Sequence, residues 1–239
     1  MIPSLLARSR GMWQTLARAP VSFAPAGGVS VMVSPESGLC PAGWVGVVTL
    51  GGSAIATVPS ERTAVIVRQA LASLPVQAVA DDALVRQVLS VARVLGPATL
   101  SYVSRDGFRP AEDGPWTVER RPASHPELRA LELTAGQADA DEAALDEITS
   151  PAFVVRARGR IVAAAGYRTW PCGTAHVGVL TAPQERGRGL ARVTGSAVVA
   201  HALDAGLLPQ WRARLPASRR VADALGFVEL GRQLSVELS

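Results

Sequence analysis

The clearest pattern of apolar and polar positions lies in the second half of the chain. Residues 153–165 form two apolar runs separated at Gly159, which predicts a β-hairpin whose second strand continues to Trp170. Another strand is predicted over 175–181, and apolar residues at helical spacing follow from Leu190. The pattern therefore predicts three antiparallel strands, a turn and a long helix in direct succession.

Further elements are predicted on both sides of this succession. Before it, the pattern indicates a short strand at 116–119, a helix over 125–133 and an acidic continuation over 139–146. After it come a strand over 208–214, a helix from Ser218 to Leu225, and two closing strands over 227–230 and 234–238. The acidic stretch is most simply a solvated helix face, although carboxylates near a site would also attract a cationic amine.

The first half of the chain predicts mixed structure without recognisable chemistry. The predicted elements are an ordinary N-terminal helix within 1–20, a hairpin at 43–60 turning at Gly51-Gly52, a Ser60-capped helix over 61–74, a helix from Asp81 or Asp82 to Leu95 stopped by Gly96-Pro97, and a strand over 98–103. In this half no nucleophile lies beside a base, no carboxylate pair forms a motif, and no ligand cluster is present.

Two observations bear on domain organisation. Residues 105–121 are rich in Gly, Pro and charge, which favours a linker and a domain boundary near residue 110. Residues 91–96 also parallel 221–226, since both stretches read as a helix end with a terminal glycine before a strand. The parallel is compatible with a diverged duplication or with a common type of junction.

Composition narrows the functional classes. The chain has 239 residues, 48% of them hydrophobic, which is enough for packed cores. Its 24 basic residues are all arginine, and the net charge is only +4. The arginines are scattered among acidic residues with few aromatic residues between them, which disfavours nucleic-acid binding. No apolar run is long enough to span a bilayer. Cys40 and Cys172 are far apart and the three histidines lack metal-ligand spacing, so we expect no metal and a reducing, cytoplasmic compartment.

The turn at residues 184–189 is the strongest candidate for chemistry. Gly187 and Gly189 are one residue apart at the start of the predicted helix, where glycines let a ligand approach several backbone N–H groups. Arg186 and Arg188 add positive charge, so the expected ligand is a phosphate or pyrophosphate. The motif alone is common in a chain rich in glycine, so the assignment of a phosphate site depends on the position of the motif among the other elements.

In that order of elements the sequence resembles the GNAT superfamily of N-acetyltransferases over about residues 111–239. The resemblance rests on the 184–189 turn, the elements around it, and the ending of residues 218–227 in Leu-Gly-Phe. It implies an α/β fold of the α+β type, with a mixed, mostly antiparallel central sheet flanked by helices. Residues 1–110 would add an N-terminal α/β domain of unknown role.

The resemblance also implies an activity, namely acetyl-CoA-dependent N-acetylation of a primary amine on a small molecule or peptide by direct attack in a ternary complex. Acetyl-CoA would lie between the strands at 175–181 and 208–214, its pantetheine arm along the first strand and its pyrophosphate on the turn. The residues implied to contact it are Val179, Leu180, Thr181, Gln184, Arg186, Gly187, Arg188, Gly189, Leu190, Ala191 and Ser218.

Two positions depart from the family pattern. Ala222 stands where many members have a tyrosine that protonates the leaving thiolate, and Leu215 stands where an asparagine is frequent. Tyr167 and His176 are the candidate catalytic residues, and Cys172 is a weaker one. Each also has a purely structural explanation: Tyr167 as a half-buried strand aromatic, His176 as a hydrogen-bonded strand histidine, and Cys172 as a turn residue. A catalytically silent acyl-CoA-binding or protein-interaction module is therefore the alternative, and a homodimer is compatible with either.

Overall fold

The computed structural model describes residues 2–24, 27–112 and 114–239. Met1 of the predicted N-terminal helix and Asp113 of the predicted linker lie outside the described residues. The chain divides into two compact units, the first made of residues 1–101, 213–215 and 229–239, and the second of residues 102–212 and 216–228. A domain boundary near residue 110 remains a proposal. The compact units differ from it in giving the last residues of the chain to the first unit.

Seven α-helices and ten strands make up the described chain. The helices are α1 (Ile2–Leu16), α2 (Glu61–Ala72), α3 (Asp82–Val88), α4 (Pro126–Ala135), α5 (Gln137–Ala143), α6 (Leu190–Asp204) and α7 (Pro216–Ala224). The strands are β1 (Gly28–Val33), β2 (Val45–Leu50), β3 (Ser53–Val58), β4 (Val91–Tyr102), β5 (Val118–Arg121), β6 (Ala152–Ala157), β7 (Arg160–Trp170), β8 (Thr174–Thr181), β9 (Leu208–Ala213) and β10 (Val228–Leu238). None of these helices combines the length and apolarity needed to cross a bilayer.

In the first unit the strands follow the order β1-β3-β2-β10-β4. The predicted hairpin is confirmed as the antiparallel pair β2–β3, and β10 also pairs antiparallel with β2. β1 lies parallel to β3 over its whole length, from Gly28↔Ser53 to Val33↔Val58. The predicted cap is confirmed as well, since the Thr63 N–H donates to Ser60 Oγ at 3.2 Å at the start of α2.

Two predictions for this unit are wrong. The predicted helix to Leu95 ends at Val88, and Gly96-Pro97 lies inside the 12-residue strand β4. The sequence similarity between residues 91–96 and 221–226 therefore does not mark two helix ends, because residues 91–96 lie in a strand. The apolar spacing of 84–95 fits a helix locally, but pairing with β10, across which Arg93 and Glu237 form an ion pair, makes its last part a strand. For the same reason the two predicted closing strands are one continuous strand, β10.

In the second unit the strands follow the order β9-β8-β7-β6-β5. β5 to β8 are antiparallel neighbours, and β9 is parallel to β8. The core contains the buried side chains Leu131, Val154, Leu180 and Leu190, contributed by helices and strands alike. The predicted hairpin, the strand after it and the long helix are confirmed, and the sheet is mixed and mostly antiparallel with helices around it, as expected.

Candidate functional site

The strand β8 has an unpaired edge in its second half. It pairs with β7 along its whole length as far as Ala163↔Thr181, but with β9 only as far as Val177↔Trp211. Residues 178–181 therefore have backbone groups on the β9 side that a ligand can pair with, as an added strand would. Thr181 Oγ1 is buried at this edge and has no hydrogen-bond partner among the described residues. An extended ligand with polar groups fits the opening.

The predicted ligand-binding residues of β8 lie along this edge. The side chain of Leu180 is buried in the core, whereas Val179 and Thr181 are half-buried on the other face. Leu180 can therefore contribute only its backbone.

The turn after β8 leaves the start of α6 open. Gly187 and Gly189 have φ of 78° and 79°, a left-handed conformation that favours glycine, and Gly189 is the N-cap of α6. No side chain caps this 15-residue helix, and no described backbone acceptor pairs with the N–H of Gly187, Arg188 or Gly189. A Cβ placed on either glycine would meet nothing within 4 Å. Open space before uncapped N–H groups is the geometry of an anion site.

The charged side chains of this turn already have partners in the protein. Arg186 donates to Asp139 Oδ2 at 2.5 Å, linking the turn to α5. Arg188 forms an ion pair with Glu185 and lies 4.7 Å above the Trp116 ring. Both arginine side chains are about half exposed, at 51% and 49%, and ion pairs of this exposure are weak. The two arginines can therefore exchange their carboxylates for phosphate oxygens.

The remaining predicted residues of the turn have simple positions. Gln184 is exposed, Leu190 is buried under the first turn of α6, and Ala191 is half-buried. Only their backbone, or the Gln184 amide, is available to a ligand.

A cavity of about 200 Å³ lies in the second unit on one face of the sheet. Asp141 of α5 and Glu147 of the following turn line one side. The strands contribute Arg168, Trp170, His176 and Arg212 to the other. The backbone of α5 approaches the sheet closely here, since a Cβ on Gly178 would lie 2.0 Å from the carbonyl oxygen of Ala143. The cavity is thus a small polar space between α5 and the strands.

His176 is held in a neutral form at this cavity. Trp170 stacks on the His176 ring with 4.0 Å between the ring centroids, and the Nδ1–H of His176 donates to Gln210 Oε1 on the neighbouring strand. Burial, followed by the charges of Arg212 and Arg168, lowers the pKa of His176 from 6.5 to about 3. Because Oε1 can only accept, Nδ1 carries the proton and Nε2 remains an acceptor.

The two candidate catalytic residues do not meet. Tyr167 is the cross-strand partner of Val177, so it shares a face with Val177, while His176 next to it points to the opposite face. Tyr167 is buried against α6, where its hydroxyl lies 3.3 Å from His201 Nδ1, and burial raises the pKa of this hydroxyl. Cys172 is exposed in the turn between β7 and β8. A site built on the cavity can use His176 but not Tyr167.

Comparison with known proteins agrees with this geometry. Residues 150–232, which contain the unpaired strand edge, the turn and α6, match the family model of the GNAT acetyltransferases. This stretch belongs to the GNAT acetyltransferase family. It is an acyltransferase family, whose cosubstrate is an acyl-CoA. No curated protein sequence matches the chain.

Three solved structures are similar to parts of this chain, and one of them reaches a TM-score of 0.50. A GCN5-related N-acetyltransferase from Kribbella flavida is 19% identical, with a TM-score of 0.50 over 66% of this chain and 63% of its own. An acetyltransferase of the GNAT family from Colwellia psychrerythraea is 18% identical, with a TM-score of 0.46 over 66% and 60%. A protein described as a GNAT acetyltransferase from Novosphingobium aromaticivorans is 27% identical, with a TM-score of 0.46 over 62% and 67%. The chain thus spans less than two thirds of the Kribbella and Colwellia proteins.

The GNAT stretch departs from the family pattern where the sequence indicated. Ala222 is buried in α7, and its carbonyl accepts from the Phe227 N–H at 3.1 Å, while Leu215 is exposed. The hydroxyl of Ser218 accepts from Trp211 Nε1 at 2.9 Å, so this residue orients a buried indole. None of the three positions offers an acidic group for the leaving thiolate.

Sequence reasoning missed most residues of the cavity. Arg168 and Trp170 alternate along β7, and Arg212 lies two residues after Gln210 on β9, all on the face that carries His176. A period of two in charged and aromatic residues on adjacent strands was the available signal. Only the strand register shows that these residues from different strands lie together on one face.

Proposed function

We propose that the second unit transfers an acetyl group from acetyl-CoA to the primary amine of a small molecule or peptide, by direct attack within a ternary complex. One observation carries the proposal: the unpaired edge of β8 leads directly into the uncapped start of α6. An extended amide chain that ends in a pyrophosphate is complementary to both parts at once. The family match over residues 150–232 supports the same ligand class.

The roles of the residues follow from what each can donate. The backbone of Val179 and Thr181 would orient the pantetheine arm, and the N–H groups from Arg186 to Ala191 would hold the pyrophosphate. Bound acetyl-CoA supplies an activated thioester. An N–H on the unpaired edge of β8 is then available to stabilise negative charge on the thioester oxygen. Most of the rate enhancement would come from positioning and preoriented dipoles.

The role beside the acceptor amine is assigned to His176 in preference to Tyr167. With Ala222 in place of a tyrosine, α7 supplies no acid. His176 Nε2 is an acceptor beside the cavity, but a pKa of about 3 makes it a weak base. Its role is therefore to accept a hydrogen bond from a neutral amine and orient that amine. The proton then leaves through solvent or the departing thiolate.

Replacing the turn glycines tests the cofactor site. Gly187→Val and Gly189→Val each put a branched side chain into the open space before α6 and strain a left-handed residue. We expect acetyl-CoA affinity, measured by calorimetry, to fall at least about tenfold. Gly159→Val is the matched control, because Gly159 has a φ of 76°, is equally open and lies at the tip of the β6–β7 hairpin. Undiminished binding in both turn variants would refute the site.

The alternative is a catalytically silent acyl-CoA-binding or protein-interaction module, and the observations that favour it are Ala222 and Leu215. Acetyl-CoA binding without transfer to any amine in a broad acceptor panel would support it. Transfer to a single amine, seen as release of the CoA thiol together with an acetylated product, would exclude it. For either function we propose a cytoplasmic setting, since Cys40 and Cys172 lie far apart in the sequence and indicate no disulfide framework.

A further inference from the structure

The cavity beside His176 has sides of opposite charge. Asp141 and Glu147 come from α5 and the turn after it, whereas Arg168 and Arg212 come from β7 and β9. Glu147 forms an ion pair with Arg168, and Asp141 Oδ1 accepts from Gln137 Nε2 at 2.6 Å. The proposed cofactor contacts use none of these four charged side chains. A ligand between the two sides meets carboxylates on one and guanidinium groups on the other.

The strand side of the cavity carries two guanidinium groups, of which that of Arg168 is paired with Glu147. Both Arg168 and Arg212 act on His176 in the same direction, each lowering the pKa of its imidazole, and burial adds to their effect. The histidine is therefore neutral and adds no charge of its own. Guanidinium groups bind carboxylates with strong, directional hydrogen bonds, so Arg212 suits a ligand that carries a carboxylate.

The size and position of the cavity restrict the ligand further. Its volume of about 200 Å³ is below the roughly 300–1,000 Å³ of pockets that hold drug-sized ligands. His176 and Arg212 flank the pair Val177↔Trp211, after which β8 and β9 are no longer paired. The cavity thus adjoins the opening in which the thioester would lie. An amine bound here would be close to the proposed acyl donor.

We infer that the acceptor is a small zwitterion of the amino-acid type, whose carboxylate contacts Arg212 and whose amine lies beside His176. This inference rests on the proposed function. In the reaction the amine nitrogen forms a bond to the acetyl carbon, the carbon–sulfur bond breaks, and one amine proton is transferred overall to the CoA thiolate. The carboxylate takes no part in the chemistry and serves to position the amine.

Paired ligands test the inference by binding alone. Free L-α-amino acids and their carboxamides are titrated by calorimetry into protein saturated with CoA, which fills the cofactor site without allowing turnover. We expect at least one amino acid to bind about tenfold or more tightly than its own carboxamide. Arg212→Gln should remove this difference. Arg160→Gln, an exposed residue at the start of β7, is the matched control and should keep it.

The outcomes separate the two claims. Equal binding of amino acid and carboxamide, or no binding of either, overturns the zwitterion assignment. Acetylation of simple alkylamines at rates equal to those of amino acids also overturns it but leaves the proposed function intact. Selective amino-acid binding that depends on Arg212, without acetyl transfer to any acceptor, keeps the ligand class and refutes the transferase. A preference for peptide amino termini over free amino acids would likewise contradict a small acceptor.

Discussion

Two glycines that face each other across β7 and β8 predict a measurable asymmetry in stability. Gly166 and Gly178 are cross-strand partners. A Cβ on Gly178 would lie 2.0 Å from the carbonyl oxygen of Ala143, a backbone atom at the end of α5. A Cβ on Gly166 would lie 2.6 Å from Cδ1, 2.8 Å from Cγ2 and 3.1 Å from Cβ of Ile148, so it meets a side chain and not the backbone. Gly178→Ala should therefore destabilise the protein more than Gly166→Ala.

The magnitude follows from how far each neighbour must move. Ordinary contact begins at 3.4 Å, so the Ala143 carbonyl must retreat by 3.4 − 2.0 = 1.4 Å and take the end of α5 with it. Overpacking of this kind costs about 1–3 kcal/mol, and alanine returns about 0.4–1 kcal/mol by restricting the unfolded chain. We expect a net loss of about 2 kcal/mol, near the upper end of this range, for Gly178→Ala, and a loss of about 1 kcal/mol for Gly166→Ala.

Urea unfolding followed by tryptophan fluorescence measures this difference. Trp170 and Trp211 lie on β7 and β9, close to the change, and report on the second unit. A loss of 2 kcal/mol would lower the thermal midpoint by roughly 4–8 °C for a chain of this size. If Gly178→Ala proved as stable as Gly166→Ala, α5 would not lie against β8 as described, and the cavity between them would lose its wall.

Two further predictions concern protons and ligand number. His176 takes up a proton in the unfolded chain below pH 6.5 but not in the folded protein until about pH 3, so its stabilising effect is complete above pH 6.5 and is lost as the pH falls. His176→Gln should therefore reduce the stability lost between pH 7.5 and 4.5 by up to about 2–3 kcal/mol in urea titrations, and an unchanged loss would contradict the neutral imidazole. Calorimetry should give one acetyl-CoA per chain. In the first unit the parallel strands β1 and β3 pair as far as their last residues, Val33 and Val58, and so leave no opening like that between β8 and β9. Binding of a second equivalent of acetyl-CoA would contradict this reasoning.

The parts predicted correctly from the sequence are those determined by neighbouring residues. The hairpin at Gly159, the cap at Ser60 and the glycine turn before α6 each depend on a few adjacent positions, and each is present. The strand nature of residues 91–96 depends on β10, more than 130 residues later, and local periodicity favoured a helix instead. Tertiary pairing therefore accounts for the main errors.

The candidate site divides in the same way. The proposed cofactor part consists of one strand edge, one turn and one helix start within residues 178–191, so its elements could be predicted from the sequence. The cavity draws on α5, β7, β8 and β9, and its residues share a face only through the strand register. That register also separates Tyr167 from His176, which sequence reasoning treated as equivalent candidates.

The contrast between two similar segments explains why one unit is expected to hold the cofactor and the other is not. Thr57-Val58-Pro59-Ser60-Glu61-Arg62 and Thr181-Ala182-Pro183-Gln184-Glu185-Arg186 both end a strand and precede a helix. In the first segment the helix begins at once, and Ser60 Oγ accepts from one of its first N–H groups. In the second, Gly187, Arg188 and Gly189 intervene, and the helix begins without a side-chain cap. The helix start is therefore capped by a side chain in the first segment and open in the second, where residues 178–181 of β8 also lack a partner on the β9 side.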